Sequence, residues 1–240
     1  IPLTKLSDYS ILLYGEEKVG KTTFAAQFPD SFVLFFEPGG HALATYSREP
    51  RSWKDFKGYI KLLQQSKRFR TVIIDTVDIA YQMCYRFICD REGIAHPKEE
   101  GFAVAWTMIR DEFQEQMSTL LKLNRGVIFT SHSMEKDIKV RTGDTFSRII
   151  PTMSRQSRMI LEPMVDMWVY CRHTKFQREF VIRGTDHIAA GHRMENNFLN
   201  ISKISMGASS SQAYKNFVAG FNNEIPNTKT KVTVKIKTGR

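Results

Sequence analysis

The sequence predicts an α/β protein: a mostly parallel sheet with helices on both faces and a β extension towards the C-terminus. Three observations predict it. Short apolar runs alternate with segments of helical period, the pattern of strands buried on both faces and joined by crossover helices. Two of these runs end in an acid, Glu37 and Asp75, at the strand ends where open α/β sheets place their ligand sites. A glycine-bounded loop separates the first run from the first helix.

Taken in order, residues 11–14 form the first apolar run and 15–20 the loop. Residues 21–28 have the pattern of a helix, stopped by Pro29 and Asp30. Residues 32–36 form a second buried strand, closed by Glu37, Pro38, Gly39 and Gly40. Residues 53–65 alternate at helical period, and 71–74 form a third strand capped by Asp75. Ile79, Met83 and Phe87 mark one helix face; Trp106, Ile109, Phe113, Met117, Leu120 and Leu121 mark a longer one. Residues 127–130 form a fourth strand. Beyond it the pattern loosens. Residues 133–150 are polar and basic, as in a long loop or hairpin, and 154–161 suit a short helix. Residues 165–171 and 179–183 look like strands of an antiparallel extension, and 209–221 like a last helix. From Ile225 onward, Val and Ile alternate with Thr and Lys, as in a tail or edge strand.

Composition narrows the function classes. The 240 residues are 42% hydrophobic and 25% charged, the balance of a globular protein rather than a disordered or fibrous one. No apolar run approaches the roughly 20 residues of a membrane span, so no membrane partner is expected. No signal-peptide pattern is expected at residues 1–8. Cys84, Cys89 and Cys171 form no disulfide framework, which points to reduced thiols and a cytoplasmic location. No Cys or His pair has the spacing of a zinc clip. The unusual quantity is charge. Lys and Arg number 35 against 25 Asp and Glu, a formal net charge of +10, which favours an anionic partner.

Gly15-Glu16-Glu17-Lys18-Val19-Gly20-Lys21-Thr22, with Thr23 next, matches G-x-x-x-x-G-K-[ST] in full and lies between a strand and a helix. Such a loop wraps backbone N–H groups around phosphates, and the helix N-terminus adds its dipole. Lys21 then reaches the β- and γ-phosphates, and the Thr22 hydroxyl ligates Mg²⁺. Asp75 supplies the second carboxylate of the Mg²⁺ site, with Asp78 as the alternative. Glu37 ends the intervening strand and is placed to polarise an attacking water. His132 ends the fourth strand, where it can contact the γ-phosphate and report its loss to the next loop.

Here the chain resembles RecA-like ATPases, most closely the short core-only recombinases of bacteriophages described as single-strand annealing or phage nucleotide-binding proteins. The resemblance runs over residues 8–195. It rests on GEEKVGKTT at 15–23, LFFEPGG at 34–40, TVIIDTVD at 71–78, GVIFTSH at 126–132 and AGHR at 190–193. It implies that Glu37 is the catalytic glutamate and that His132 stands at the γ-phosphate sensor, a position usually held by Gln. It implies that residues 133–150 contact DNA and that Arg193 reaches a neighbouring subunit's nucleotide.

The basic excess is placed rather than spread. Residues 136–158 carry Lys136, Lys139, Arg141, Arg148, Arg155 and Arg158 against Asp137 and Asp144. Residues 225–240 carry Lys229, Lys231, Lys235, Lys237 and Arg240 with no acid. These stretches hold nearly all of the net charge, which suits a groove tracking a phosphate backbone. Lys136, Lys139, Arg141, Arg148 and Arg155 are the candidate DNA ligands, and Phe146 is a candidate stacking ring.

The expected protein is a DNA-dependent ATPase that takes ATP and Mg²⁺, binds single-stranded DNA and promotes annealing or recombination. It would act as a ring or filament with ATP at subunit interfaces, with a single-strand-binding protein as a further partner, in the bacterial host cytoplasm if phage-encoded. The expected layout is a RecA-like core over 1–206, a C-terminal helix over 207–224 and a basic tail or edge strand over 225–240. Two alternatives stay open. One is a P-loop kinase of a small metabolite, with Arg155 and Arg158 as lid arginines. The other is an ATP-binding DNA scaffold with little hydrolysis. A GTPase is not expected, because no N/T-K-x-D base-reading motif is present.

Overall fold

The structure is a computed structural model, and it describes residues 4–40, 43–98, 104–139 and 143–225. The first half of the chain forms β1 (Ser10–Gly15), α1 (Lys21–Ala25), β2 (Ser31–Phe35), β3 (Tyr46–Arg48), α2 (Trp53–Gln65), β4 (Thr71–Asp75), α3 (Val77–Glu92) and α4 (Ala105–Leu121). The second half forms β5 (Gly126–Lys139), β6 (Thr145–Pro151), α5 (Arg155–Leu161), β7 (Met167–His173), β8 (Arg178–Val181), β9 (Gly191–His192), β10 (Lys203–Ser205) and α6 (Ser210–Phe221).

Among the described residues, six strands pair in parallel in the order β3-β2-β4-β5-β1-β7. β8 and β10 extend this sheet antiparallel beyond β7, and β9 pairs antiparallel with the start of β7. The strands alternate strictly between two apolar layers. Leu12, Leu34, Ile74 and Phe129 face α2, α3, α4 and α5. Leu13, Val33, Ile73 and Ile128 face α1 and α6. This two-sided burial explains why the strands are apolar at every position.

Polar contacts at the strand ends set the register. Asp166 Oδ2 accepts from the Ser10 N–H at 2.9 Å and the Ser10 hydroxyl at 2.6 Å, which joins the start of β7 to the start of β1. The Arg125 guanidinium donates to the carbonyls of Leu63, Ser66 and Phe69, and so closes the C-terminal end of α2 beside β4. Ser52, Ser154 and Ser209 cap α2, α5 and α6.

The structure revises several sequence expectations. α1 is five residues long rather than running to Phe28, although Phe28 is still buried under α6. The fourth strand does not stop at Thr130: β5 continues to Lys139 and pairs antiparallel with β6, so of the two forms expected for residues 133–150 the described ones take the hairpin. The buried stripe of α3 is Val77, Ala80, Tyr81, Cys84 and Ile88, with Ile79, Met83 and Phe87 on its half-buried flank. That helix sits between α2 and α4, so its apolar surface wraps wider than one stripe. The short edge strand β3 was not anticipated, nor were β9 and β10. α6 packs Phe217 against Phe24 of α1 and Phe180 of β8, within the same core cluster. The tail from residue 226 lies outside the described residues.

Phe113 is fully buried between Trp53 and Tyr81, with ring centroids 6.0 and 5.0 Å away. Phe113→Ala should therefore cost about 3–5 kcal/mol of stability. Urea unfolding should show this as a lower midpoint with an unchanged slope.

Candidate functional site

The phosphate loop is built where β1 leaves the sheet. A Cβ on Gly15 would stand 2.0 Å from the Cys171 carbonyl oxygen of β7, so only glycine fits there. Gly20 takes φ +101, the left-handed turn that opens α1. Lys18 also has positive φ, and such a succession of conformations makes a concavity lined with N–H groups. Two side chains from the β7–β8 hairpin tie the loop to the sheet. Glu16 Oε2 accepts from the backbone N–H of His173 at 3.2 Å and pairs with its Nδ1 at 2.8 Å. Arg178 donates to the Val19 carbonyl at 3.3 Å and to the Gly207 carbonyl at 3.4 Å. Neither tether has a sequence signal, since each joins residues more than 150 positions apart.

Lys21 is buried, and its Nζ donates to the carbonyls of Gly15 at 2.9 Å and Glu16 at 2.7 Å. Burial lowers its pKa, while Cys171, Asp75, Glu37 and Glu17 favour the charged form. The ammonium is thus held inside the loop by two carbonyls that phosphate oxygens would replace.

β5 stands between β1 and β4, which sets the loop and Asp75 about 10 Å apart along the sheet. Side chains close the gap: Thr22 Oγ1 donates to Asp75 Oδ2 at 3.0 Å. Thr130, from the intervening β5, donates to Asp75 Oδ1. Burial raises the Asp75 pKa, and the Thr130 and Thr22 hydroxyls oppose that rise. A hydroxyl and a carboxylate are hard oxygen donors that suit Mg²⁺. Among the described residues no group of three or more His, Cys, Asp or Glu could hold a metal on its own. This agrees with an ion shared with substrate phosphates rather than caged by protein.

The structure brings Glu37 and His132 into direct contact. Glu37 Oε2 lies 3.2 Å from His132 Nε2, and Glu37 Oε1 accepts from the Thr76 hydroxyl at 2.7 Å. Both carboxylate oxygens are therefore oriented, one by β5 and one by the residue after Asp75. His132 pairs through Nε2 and leaves Nδ1 buried without a partner.

Asp78, the alternative carboxylate, is engaged elsewhere through Oδ1, and its Oδ2 is buried without a hydrogen-bond partner among the described residues. Its Oδ1 accepts from Ser131 at 3.1 Å and from Thr152 at 2.8 Å, one residue on each leg of the β5–β6 hairpin root. The Thr152 N–H also donates to the His132 carbonyl at 3.0 Å. Burial raises the Asp78 pKa, opposed by these hydroxyls. Asp78 anchors the hairpin to α3. It, Thr76 and Thr130 are site residues that sequence reasoning either misassigned or missed.

The candidate DNA ligands are only partly gathered. Lys136 and Arg148 lie directly opposite each other across the hairpin, an arrangement of like charges that costs stability on its own. With Arg158 they line a cavity of about 360 Å³, together with Asp137 and Glu162. The Arg148 Nε is buried without a hydrogen-bond partner. Lys139 is exposed further along β5, and Arg155 stands apart at the start of α5. Arg141 and the tail lysines lie outside the described residues. Phe146 is not a free stacking ring; it is half-buried, edge-on to His187 at 5.7 Å.

Arg193 does not reach the chain's own phosphate loop. It follows β9, which pairs with Met167 and Trp168, whereas Gly15 pairs with Cys171. Four residues of strand put these positions about 13 Å apart. Its guanidinium donates to the Pro163 carbonyl at 2.5 Å, beside a cavity of about 250 Å³ that Arg148 and His192 also line.

Residues 7–203 match the family described as the AAA domain. The chain belongs to the AAA domain family. As an AAA domain it is a P-loop ATPase by fold, with the extra strand β5 between the loop strand and the Asp75 strand. A curated relative is the SPbeta prophage-derived uncharacterized protein YorG of Bacillus subtilis (strain 168), 27% identical over 164 residues. That match takes in 65% of this chain and 47% of the relative, so the AAA domain spans about half the length of the curated protein it matches. A solved structure, the KaiC-like protein PH0186 of Pyrococcus horikoshii OT3, superposes with a TM-score of 0.47 at 16% identity, over 85% of this chain and 88% of that one. No described helix of the AAA domain is long and apolar enough to cross a membrane.

The Gly15 contact generates a direct check on the loop. Gly15→Ala should weaken binding of a fluorescent ATP analogue by about tenfold or more, equivalent to at least 1.4 kcal/mol. The far-UV circular dichroism should be preserved.

Proposed function

We propose that this AAA domain hydrolyses ATP, binds single-stranded DNA, and uses the first activity to control the second during annealing or recombination. The observation that carries the proposal is the unbroken path from Glu37 through His132 into the basic hairpin. Glu37 is oriented by His132, and His132 is the last residue of β5 before that strand leaves the sheet towards Lys136 and Lys139. A change at the γ-phosphate that moves His132 therefore moves the hairpin root, which Asp78 ties to the segment holding Asp75 and Thr76.

In this reading Glu37 accepts a proton from the attacking water, and Lys21 balances charge on the β- and γ-phosphates. Thr22 and Asp75 hold the Mg²⁺, which when bound neutralises charge developing on the phosphate oxygens. Arg193, turned away from its own loop, serves a neighbouring subunit's nucleotide in a ring or filament. The paired cations Lys136 and Arg148, which line one open cavity beside the hairpin, await phosphates of the DNA backbone. The prophage-derived relative supports a phage setting, with the host cytoplasm as the site of action and a single-strand-binding protein as a further partner.

ATP turnover measured with and without single-stranded DNA tests the reading. Stimulation by DNA is expected, and Glu37→Gln should lower turnover by about 10²-fold or more while ATP still binds. No stimulation together with no DNA binding at low salt would overturn it. If about six phosphates are contacted, the log–log salt dependence of affinity should have a slope of roughly −4. Neutralising Lys136 and Arg148 should make that slope shallower by about 1–2 and leave ATP affinity unchanged.

A further inference from the structure

We propose that the open cleft between α3, α4 and the start of α5 is a stacking site for an unpaired base of single-stranded DNA. This inference rests on the single-strand reading above and names a subsite that the basic hairpin does not supply. The cleft measures about 450 Å³, within the roughly 300–1,000 Å³ of ligand pockets. Its wall is aromatic: Tyr81 and Tyr85 from α3 and Trp106 from α4. Tyr85, His96 and Trp106 contact one another, with ring centroids 5.9, 6.2 and 5.8 Å apart, which fixes the plane each ring presents. The Tyr81 hydroxyl donates to Gln156 Oε1 at 2.6 Å, which fixes the floor against α5.

Two features favour a base over another occupant. Trp106 packs against the core but stays half-buried, whereas Trp53 and Trp168 are 1% and 9% exposed. An uncovered tryptophan beside a tyrosine is the kind of surface on which bases of any sequence stack. The cleft's charge also suits a nucleic acid. Among its described lining residues there is one cation, Arg155, and no acid. Arg155 follows Thr152, at the hairpin root, by three residues. A strand whose phosphates follow Lys136 and Arg148 can continue past that root to Arg155, with a base turned onto Trp106. This also accounts for Arg155 standing apart from the other candidate ligands.

The test uses the whole chain and two probes of equal length: oligo(dT), and the same backbone without bases. Binding is read by anisotropy, and stacking by tryptophan fluorescence. The expected results are quenching by oligo(dT) only, and an affinity for it about 5- to 150-fold above that of the abasic strand. Trp106→Ala should remove the quenching and most of that difference and leave abasic binding unchanged, whereas Trp106→Phe should restore most of the affinity difference without restoring the quenching, because the reporting indole is gone. Equal affinity of the wild-type chain for both probes, without quenching, overturns the base site while single-strand binding stands. Binding of neither probe at low salt overturns the single-strand reading itself. A change in sedimentation mass of Trp106→Ala without DNA would mean that a second copy of the chain covers the cleft, and also overturns the proposal. Should Trp106→Ala fail to fold, Trp106→Phe decides: quenching that persists in it would come from Trp168, which lines the cavity with Lys136 and Arg148, and would overturn the cleft as the base site.

Discussion

β5 must lie between β1 and β4 and yet leave the sheet at His132, and the whole site depends on that one strand. Its first half is a buried central strand, hydrogen-bonded on both sides and fully apolar from Val127 to Phe129. Its insertion opens a gap of two strand spacings between the phosphate loop and Asp75. The gap is then filled by polar side chains from three elements: Thr22 of α1, Asp75 at the end of β4 and Thr130 of β5. Among the described residues the second half of the same strand has no sheet neighbour except β6, so it projects as a hairpin. One continuous backbone thus runs from the sheet interior, past the nucleotide groups, to the basic surface.

Bringing Lys21 and Asp75 together in a buried place carries an electrostatic cost, because burial disfavours the charged form of both. The fold offsets the cost locally. Carbonyls of the phosphate loop hold the Lys21 ammonium, and threonine hydroxyls hold each carboxylate. These partners are small and rigid, so the charged groups keep fixed directions before any ligand arrives. Such preorganisation is what electrostatic stabilisation of a transition state requires.

The hairpin shows the opposite economy. Lys136 faces Arg148 with no acid directly between them, and the Arg148 Nε has no partner. A fold optimised for stability alone would place opposite charges there. The aromatic cleft beside α5 is a second such departure, since Trp106 packs against the core on one side and leaves the rest of its ring in the cleft. The two departures flank the hairpin root: Lys136 and Arg148 lie on β5 and β6, and the cleft between α3 and α4 is bordered by Ser154, Arg155 and Gln156 just after that root.

The amino-acid sequence alone determined the chain's local chemistry. Apolar runs at 11–14, 32–36, 71–74 and 127–130 could only be strands buried on both faces. The G-x-x-x-x-G-K-T loop could be placed because its glycines, Lys21 and Thr22 act within one turn of backbone. Asp75 and Glu37 were visible as strand-end acids for the same local reason. What the tertiary structure decided were the contacts between distant segments. The insertion of β5 between β1 and β4, the Glu37–His132 pair and the Arg178 tether join residues from 55 to 159 positions apart. The assignment of Asp78 to the hairpin rather than the metal, and the turning of Arg193 away from its own loop, follow from the same long-range pairing. A pattern of period two or 3.6 reports which face of an element is buried, but not which neighbour buries it. That choice is made only when strands pair across the sheet, and at this site the chemistry lies in those pairings.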